Sequence, residues 1–140
     1  MQTWFLCTDK KQKKQRNLFQ ELIDEGFIYD NKVVYLGEEQ TLASPDGNLK
    51  VFWSVTSRDG IWFQIKRIHP YHIMFDYFDG AVVINYNRKE MILLLEKIKD
   101  DLDKIKKADH RKSINDKREA IDIVVLNSVK TIMHMDELMM

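Results

Sequence analysis

Apolar and polar residues alternate along the middle of the chain, which is the pattern of β-strands with one buried face. The alternation is clear in Asn48–Thr56, and a second run of this kind begins at Ile61. Two further runs, His72–Phe78 and Ala81–Tyr86, are separated by an Asp-Gly dipeptide, which is typical of a two-residue type I′ turn. We therefore predict two consecutive antiparallel hairpins whose apolar residues share one face.

The same pattern predicts how the strands pair. Apolar residues of the first hairpin meet if its connection is the three-residue loop Arg58-Asp59-Gly60, in which the glycine supplies a left-handed backbone conformation. In the second hairpin, the two-residue turn sets the register. The predicted partners are Ile73 with Tyr86, Phe75 with Ile84, and Tyr77 with Val82.

Two segments that flank the hairpins have the spacing of amphipathic helices. The first is Asn17–Glu25, for which Gly26 is a natural residue to end the helix. The second follows a predicted N-cap at Asn87 and carries an apolar stripe from Met91 to Ile105 at alternating four- and three-residue steps. Such a stripe can lie on a sheet or against another helix.

A third helix is predicted to begin at Ser113 and to run to the C-terminus. Its stretch Ile121–Val129 is rich in β-branched residues, which leaves a strand there as an alternative. Shorter segments complete the prediction. They are strands at Met1–Thr8, Val33–Leu36 and Gln40–Ala43, and a reverse turn at Ser44–Gly47.

Together these segments predict an α+β fold in a single domain of residues 1–140. An antiparallel β-meander of about five or six strands follows an N-terminal helix and precedes two C-terminal helices. Residues 48–107 form a block of four strands and a helix, and residues 113–140 form the C-terminal helix. A chain of 140 residues can bury enough surface to fold without disulfides or metals.

Composition limits the setting in which this fold works. Cys7 is the single cysteine, so no internal disulfide can form, which favours a reducing cytoplasm. The apolar stretch Trp4–Cys7 is too short for a signal peptide or a membrane span, so we expect no membrane partner. The net charge is zero but segregated, because basic residues dominate Asp9–Phe19 and Lys104–Arg118 while acidic residues dominate Gln20–Asp46.

The outward face of the first hairpin is a candidate nucleic-acid site. Phe52 and Trp62 are predicted to lie on it, and aromatic rings beside basic side chains are what single-stranded nucleic acid stacks on. Its other predicted members are Lys50, Gln64 and Lys66. In element order, this block resembles the whirly and PUR families of single-stranded nucleic-acid binders, which implies the same ligand class. Alternatively, a helix covers this face and both rings belong to the core.

A basic run near the N-terminus is a second candidate site for an anion, and its residues join those of the hairpin face in the nucleic-acid-binding alternative. If the run is helical, its cations oppose the helix dipole and a bound anion would offset that cost. Alternatively, Asn17 caps the helix and the run precedes it in solvent. The run consists of Lys10, Lys11, Lys13, Lys14 and Arg16.

Signals for catalysis and cofactors are sparse. His69 and His72 form the only close histidine pair, and Asp76 follows them, but no further histidine or cysteine completes a tetrahedral metal set. The chain contains no phosphate-binding loop, no dinucleotide-binding glycine motif and no nucleophile elbow. We therefore expect no cofactor, and the two histidines remain weak metal candidates.

The C-terminus is rich in methionine, whose flexible thioether suits adaptable protein contacts. The candidate protein-binding residues are Met133, Met135, Leu138 and Met139. We expect a small non-catalytic binding protein, an inhibitor or adaptor of the phage or mobile-element kind, that acts through protein contacts or self-association. The alternatives are a single-stranded nucleic-acid binder and, more distantly, a small enzyme or metal protein centred on the two histidines.

Overall fold

The computed structural model describes residues 14–34, 37–56, 60–108 and 114–139. Residues 14–18 are helical. The elements that follow are α1 (Gln20–Asp24), β1 (Ile28–Val34), β2 (Gly37–Ala43), β3 (Leu49–Thr56), β4 (Ile61–Arg67), β5 (Ile73–Phe78), β6 (Ala81–Tyr86), α2 (Met91–Lys107) and α3 (Ile114–Met139). The predicted α+β class is confirmed, and the β-branched stretch in α3 is helical rather than extended.

The six strands form one antiparallel sheet in which each strand pairs with its neighbour in sequence. The second hairpin has the predicted register, with Phe75 opposite Ile84 and Tyr77 opposite Val82. Its turn has φ of 49° at Asp79 and 100° at Gly80, so the predicted type I′ turn is confirmed. A two-residue turn of this kind matches the twist of the strands and fixes their register.

The first two strands begin earlier than predicted. The prediction placed a strand at Val33–Leu36, whereas β1 already starts at Ile28. Asn31 pairs with Gln40 on the inner face of the sheet, so polar residues stand where the alternation would require apolar ones. This polar pair hides the period-two signal of both strands. The predicted strand at Met1–Thr8 lies outside the described residues.

The first hairpin keeps the predicted faces but not the predicted register. A loop of residues 58–60 would place Ser57 opposite Ile61, whereas Val55 lies opposite Ile61 and Trp53 opposite Phe63. The predicted three-residue loop is therefore wrong, because the observed pairing of β3 with β4 is shifted by two residues from the predicted pairing. Because side chains alternate with a period of two, a shift of two residues leaves every apolar side chain on the same face, and the sequence pattern alone cannot detect it.

Two predicted helix caps are wrong. The Oδ1 atom of Asn87 accepts a hydrogen bond of 2.9 Å from the backbone N–H of His72, and α2 begins only at Met91. Asn87 therefore ties the end of β6 to the start of β5. Asn17 also caps no helix, because the helical segment already includes residue 14. The end of α1 is as predicted, since Gly26 adopts a left-handed φ of 104°.

The helices pack on one face of the sheet and enclose the core. Phe19 lies against Trp53 with ring centroids 5.6 Å apart, and Tyr77 donates a hydrogen bond of 2.8 Å to Asp103 of α2. The predicted apolar stripe of α2 faces the core, where four of its five residues are buried. They are Met91, Leu95, Ile98 and Leu102, and Ile105 is partly buried beside them.

A buried ion pair fastens the end of α3 to the sheet. Arg67 of β4, only 7% exposed, donates from Nη2 to Asp136 of α3. Its Nε donates to the carbonyl oxygen of His69 at 2.6 Å, and its guanidinium carbon lies 4.9 Å from the ring centroid of Tyr71. Burial and the neighbouring Asp136 carboxylate raise the pKa of Tyr71 to about 12. Asp136 therefore holds the C-terminal part of α3 against the sheet.

Replacing Asp136 should destabilise the protein strongly. The substitution Asp136→Ala leaves the Arg67 guanidinium buried without its counter-charge, for which we expect a loss of about 3 kcal/mol in the free energy of unfolding. Urea denaturation followed by circular dichroism measures it. The control is Glu137→Ala, because that side chain is 74% exposed and its loss should change stability by less than about 0.5 kcal/mol. Equal effects of the two variants would contradict the role of the pair.

Candidate functional site

The second face of the sheet, which we call the open face, carries none of the described helices. These helices contact the inner face, as the hydrogen bond of Trp53 to Asp122 of α3 illustrates. The expectation that a helix covers the aromatic residues is thus not met by any described helix. The open face consists of Ile28, Asp30, Lys32, Glu39, Thr41, Ala43, Lys50, Phe52, Ser54, Trp62, Gln64, Lys66, Met74, Asp76, Phe78, Ala81, Val83 and Asn85.

The two aromatic residues singled out in the sequence meet on this face. The rings of Phe52 and Trp62 lie 4.5 Å apart between centroids and are tilted by 57°. Trp62 stands directly opposite Phe78, and its Nε1 donates a hydrogen bond of 3.2 Å to Oδ1 of Asp76. The two rings therefore pack against each other in a tilted arrangement, and the Trp62 indole is hydrogen-bonded to a carboxylate.

Apolar side chains lie beside that carboxylate on β5 and β6, and the polar Gln64 stands directly opposite it on β4. Asp76 follows Met74 and precedes Phe78 on the same face of β5, and Val83 stands directly opposite it on β6. Phe78 is 66% exposed and Val83 is 63% exposed. No lysine, arginine or histidine in the described part of the chain forms an ion pair with Asp76. We call Phe52, Trp62, Met74, Phe78 and Val83 the apolar patch.

Charge on the open face is balanced rather than basic. Its lysines are Lys32, Lys50 and Lys66, and its carboxylates are Asp30, Glu39 and Asp76. Lys50 lies directly opposite Lys66, so two like charges are neighbours on adjacent strands, an arrangement that by itself is destabilising. The predicted aromatic and basic residues thus share one surface, but carboxylates of equal number share it with them.

The described residues of the N-terminal basic run, Lys14 and Arg16, do not extend this surface. Lys14 Nζ lies 2.5 Å from a carboxylate oxygen of Glu119 in α3, so it belongs to the helical side of the molecule. Arg16 is exposed on the same helical segment. Lys10, Lys11 and Lys13 lie outside the described residues.

The other sequence candidates lie apart from the open face. Met133 and Met135 are partly buried against the core, and Leu138 is 74% exposed. The side chain of Met139 lies outside the described part of the chain. Met135 also lines a groove of about 400 Å³ between α2 and α3, together with Leu93, Leu94, Ile98 and Val124.

The predicted histidine pair lies in the connection between β4 and β5. His69 precedes Pro70 through a cis peptide bond, and His72 is half-buried beside the start of β5. Within the described ranges, no group of three His, Cys, Asp or Glu side chains is arranged to hold a metal ion.

Sequence reasoning missed a buried carboxylate at the centre of the inner face. Asp122 of α3 is 1% exposed and accepts three side-chain hydrogen bonds. Trp53 Nε1 donates to Oδ1 at 2.8 Å, Gln40 Nε2 donates to the same oxygen at 3.3 Å, and Gln15 Nε2 donates to Oδ2 at 3.4 Å. One carboxylate thereby connects the N-terminal helical segment, β2, β3 and α3.

The hydrogen bonds continue from Asp122 towards the edge of the sheet. Tyr29 donates to Gln40 Oε1 at 2.7 Å, and Asn31 Nδ2 donates to Gln15 Oε1 at 2.6 Å. Arg118 of α3 donates to the carbonyl oxygen of Val55 at 3.3 Å. The sequence did contain a sign that these charged residues face the core. They recur at four- and three-residue steps together with the buried apolar residues of α3, in the series Arg118, Asp122, Val125, Val129, Ile132 and Asp136.

Burial dominates the acidity of this network. Desolvation raises the pKa of Asp122 to about 6 from an ordinary value of 3.8, although three hydrogen bonds favour the ionised form. Burial also raises the pKa of the Tyr29 hydroxyl. No lysine or arginine of the described chain forms an ion pair with Asp122, so hydrogen bonds alone stabilise its charge. With its side chain enclosed, the network is a structural element rather than a site that a ligand can reach.

Stability should therefore rise as the pH falls through the pKa of Asp122. Between 3.8 and about 6, the folded carboxyl holds a proton that the unfolded one has lost, so acidification favours the folded state. Relative to Asp122→Asn, the wild type should gain about 2 kcal/mol in unfolding free energy from about pH 7.5 to about pH 4.5. Denaturant titrations at both pH values measure the gain. If the difference in unfolding free energy between the two proteins stays constant with pH, the raised pKa of the buried Asp122 carboxyl is refuted.

Comparisons with known proteins give no external guide to this arrangement. No family model matches the chain, and neither a curated protein nor a solved structure is significantly similar to it. None of the helices that the structure describes combines the length and apolar character needed to cross a membrane. The function must therefore be inferred from the chain's own residues, and the open face is the surface that offers recognisable chemistry.

Proposed function

We propose that this chain is a small non-catalytic binding protein, of inhibitor or adaptor type, that docks another protein on its open face. The observation that carries the proposal is Asp76, a carboxylate with no cationic partner among the described residues. It lies beside the exposed side chains of Phe78 and Val83 and accepts a hydrogen bond from the half-buried Trp62. A reducing cytoplasm is the proposed setting, because the single cysteine offers no internal disulfide.

The apolar patch supports docking because antiparallel sheets normally present polar side chains on a solvated face. Here Phe78 and Val83 stay mostly exposed, and Phe52 and Trp62 extend the same surface. Contiguous apolar surface with a polar surround is typical of protein interaction sites. Buried rings at such an interface also contribute disproportionately to affinity.

Asp76 indicates what the partner presents. Its Oδ1 accepts the Trp62 indole hydrogen bond, which leaves further acceptor capacity on the carboxylate. An arginine or lysine of the partner can form an ion pair with the Asp76 carboxylate and contact the ring faces of Trp62 and Phe78. The proposed partner is therefore a protein surface with a basic side chain among apolar ones.

Substitutions on the open face should release such a partner. Asp76→Asn keeps the shape and the Trp62 hydrogen bond but removes the charge, and Phe78→Lys places a cation in the apolar patch. We expect each to weaken binding at least about tenfold, which corresponds to about 1.4 kcal/mol. Affinity capture with the tagged wild type, followed by titration of the protein it retains, measures the change.

The control for this experiment is Leu138→Lys. Leu138 is 74% exposed, comparable to Phe78, but it lies at the end of α3 and away from the open face. It should leave binding unchanged. A retained protein that binds all three variants equally, or that is lost from Leu138→Lys alone, would place the docking surface elsewhere, and the methionine-rich end of α3 would then be the candidate.

Single-stranded nucleic acid is the second candidate ligand. Its support is the pair of directly opposed lysines, Lys50 and Lys66, beside the rings of Phe52 and Trp62. A phosphate between the lysines would relieve their repulsion while a base contacts a ring. The three carboxylates of the open face oppose this ligand, which is why it ranks below a protein partner.

The two ligands predict opposite effects of the same substitution. Removing the charge of Asp76 with Asp76→Asn should weaken the binding of a basic protein partner but strengthen the binding of a polyanion. A titration with a short single-stranded oligonucleotide, followed by tryptophan fluorescence at two salt concentrations, tests this. Nucleic-acid binding predicts quenching that weakens with salt, improves in Asp76→Asn and is lost in Lys66→Glu. Absence of quenching by the wild type removes this candidate.

A further inference from the structure

Strand β6 is an edge strand of the described sheet, and half of its backbone groups point away from the strand beside it. A two-residue turn makes Phe78 and Ala81 a hydrogen-bonded pair, so bonds to β5 alternate from there along β6. The N–H and C=O groups of Val82, Ile84 and Tyr86 consequently point away from β5. Among the described residues, no strand pairs with this outer edge.

The edge lacks the features that usually prevent strands from pairing with other chains. Proteins protect exposed edges with charged side chains, proline or bulges. The opposite edge strand, β1, carries Asp30 and Lys32 exposed on the open face. The β6 sequence Ala-Val-Val-Ile-Asn-Tyr contains no charge, no proline and no glycine, and Val83 is 63% exposed.

The flanks of β6 carry opposite charges. Asp79 lies in the turn before the strand, and its side chain is 47% exposed even though Lys106 Nζ lies 3.9 Å from its carboxylate. Lys89 follows the strand and is exposed. An antiparallel copy of the strand therefore brings a basic flank to an acidic turn at both ends.

We propose that β6 pairs with β6 of a second copy of this chain. In the antiparallel register centred on Ile84, that residue lies on the two-fold axis, Val82 pairs with Tyr86 of the second copy, and Asp79 stands opposite Lys89 of the second copy. All outward backbone groups of the strand then form hydrogen bonds. The same residues meet from both sides, as an isologous dimer requires.

The dimer also changes the binding surface. Val83 comes to lie opposite Asn85 of the second copy, on the same side of the sheet as the apolar patch. The two open faces become one continuous surface with an Asp76 on either side of the axis. The proposed partner protein can then bind at two sites, although the dimer itself does not depend on that partner.

Removal of one backbone donor tests the pairing. Ile84→Pro deletes an N–H that points away from β5, so the internal ladder stays intact while the central hydrogen bonds of the dimer are lost. Ile84→Ala is the matched control, because it loses more of the side chain but keeps the N–H. Sedimentation equilibrium should give a dimer for the wild type and Ile84→Ala, and a monomer for Ile84→Pro. Circular dichroism establishes that each variant is folded.

Charge reversal at the flank provides a second test that does not disturb the strand. Lys89→Glu places like charges at both ends of the interface and should raise the dimer dissociation constant at least about fivefold. Lys104→Glu makes the same charge change on the exposed side of α2 and should have no effect. A monomeric wild type, a folded Ile84→Pro that still dimerises, or equal effects of the two charge reversals would each overturn the proposal.

Discussion

The whole arrangement depends on the period of two along six neighbouring strands, which assigns each side chain to one of two faces. The described helices cover the inner face, and their apolar residues enclose Trp53, Phe63, Phe75 and Tyr77 in one core. The described helices leave the other face uncovered. Side chains that the pleat directs outward, Phe78 and Val83 among them, are therefore exposed in the described part of the chain.

The sequence predicted most of this architecture, and its errors have physical causes. The Asp-Gly turn specified the second hairpin residue by residue, because a two-residue turn allows one register. The first hairpin lacks such a turn. The alternation of apolar residues allows Val55 to pair either with Phe63, as predicted, or with Ile61, as observed. Asn87 looked like a helix cap, but its side-chain oxygen Oδ1 accepts a hydrogen bond from the backbone N–H of His72, a tertiary contact that no local motif predicts.

The open face was only partly predictable. Alternation placed Phe52, Trp62 and Lys66 on one surface, as the structure also does. The role of Asp76 was hidden, because its neighbours come from two other strands and its bond to Trp62 depends on the exact pairing. The buried environment of Asp122 could not be predicted for the same reason, although its position in line with the apolar residues of α3 indicated that it faces the core. Long-range pairing determines both carboxylate environments.

The indole N–H resonance of Trp62 reports most directly on the central claim, that the open face is an uncovered site for a basic protein surface. In two-dimensional NMR, a peptide with arginine between aliphatic residues should shift the Trp62 indole signal and leave that of the buried Trp53 unchanged. The shift should disappear in Asp76→Asn. An unmoved Trp62 signal, or one that moves equally in Asp76→Asn, would contradict the account.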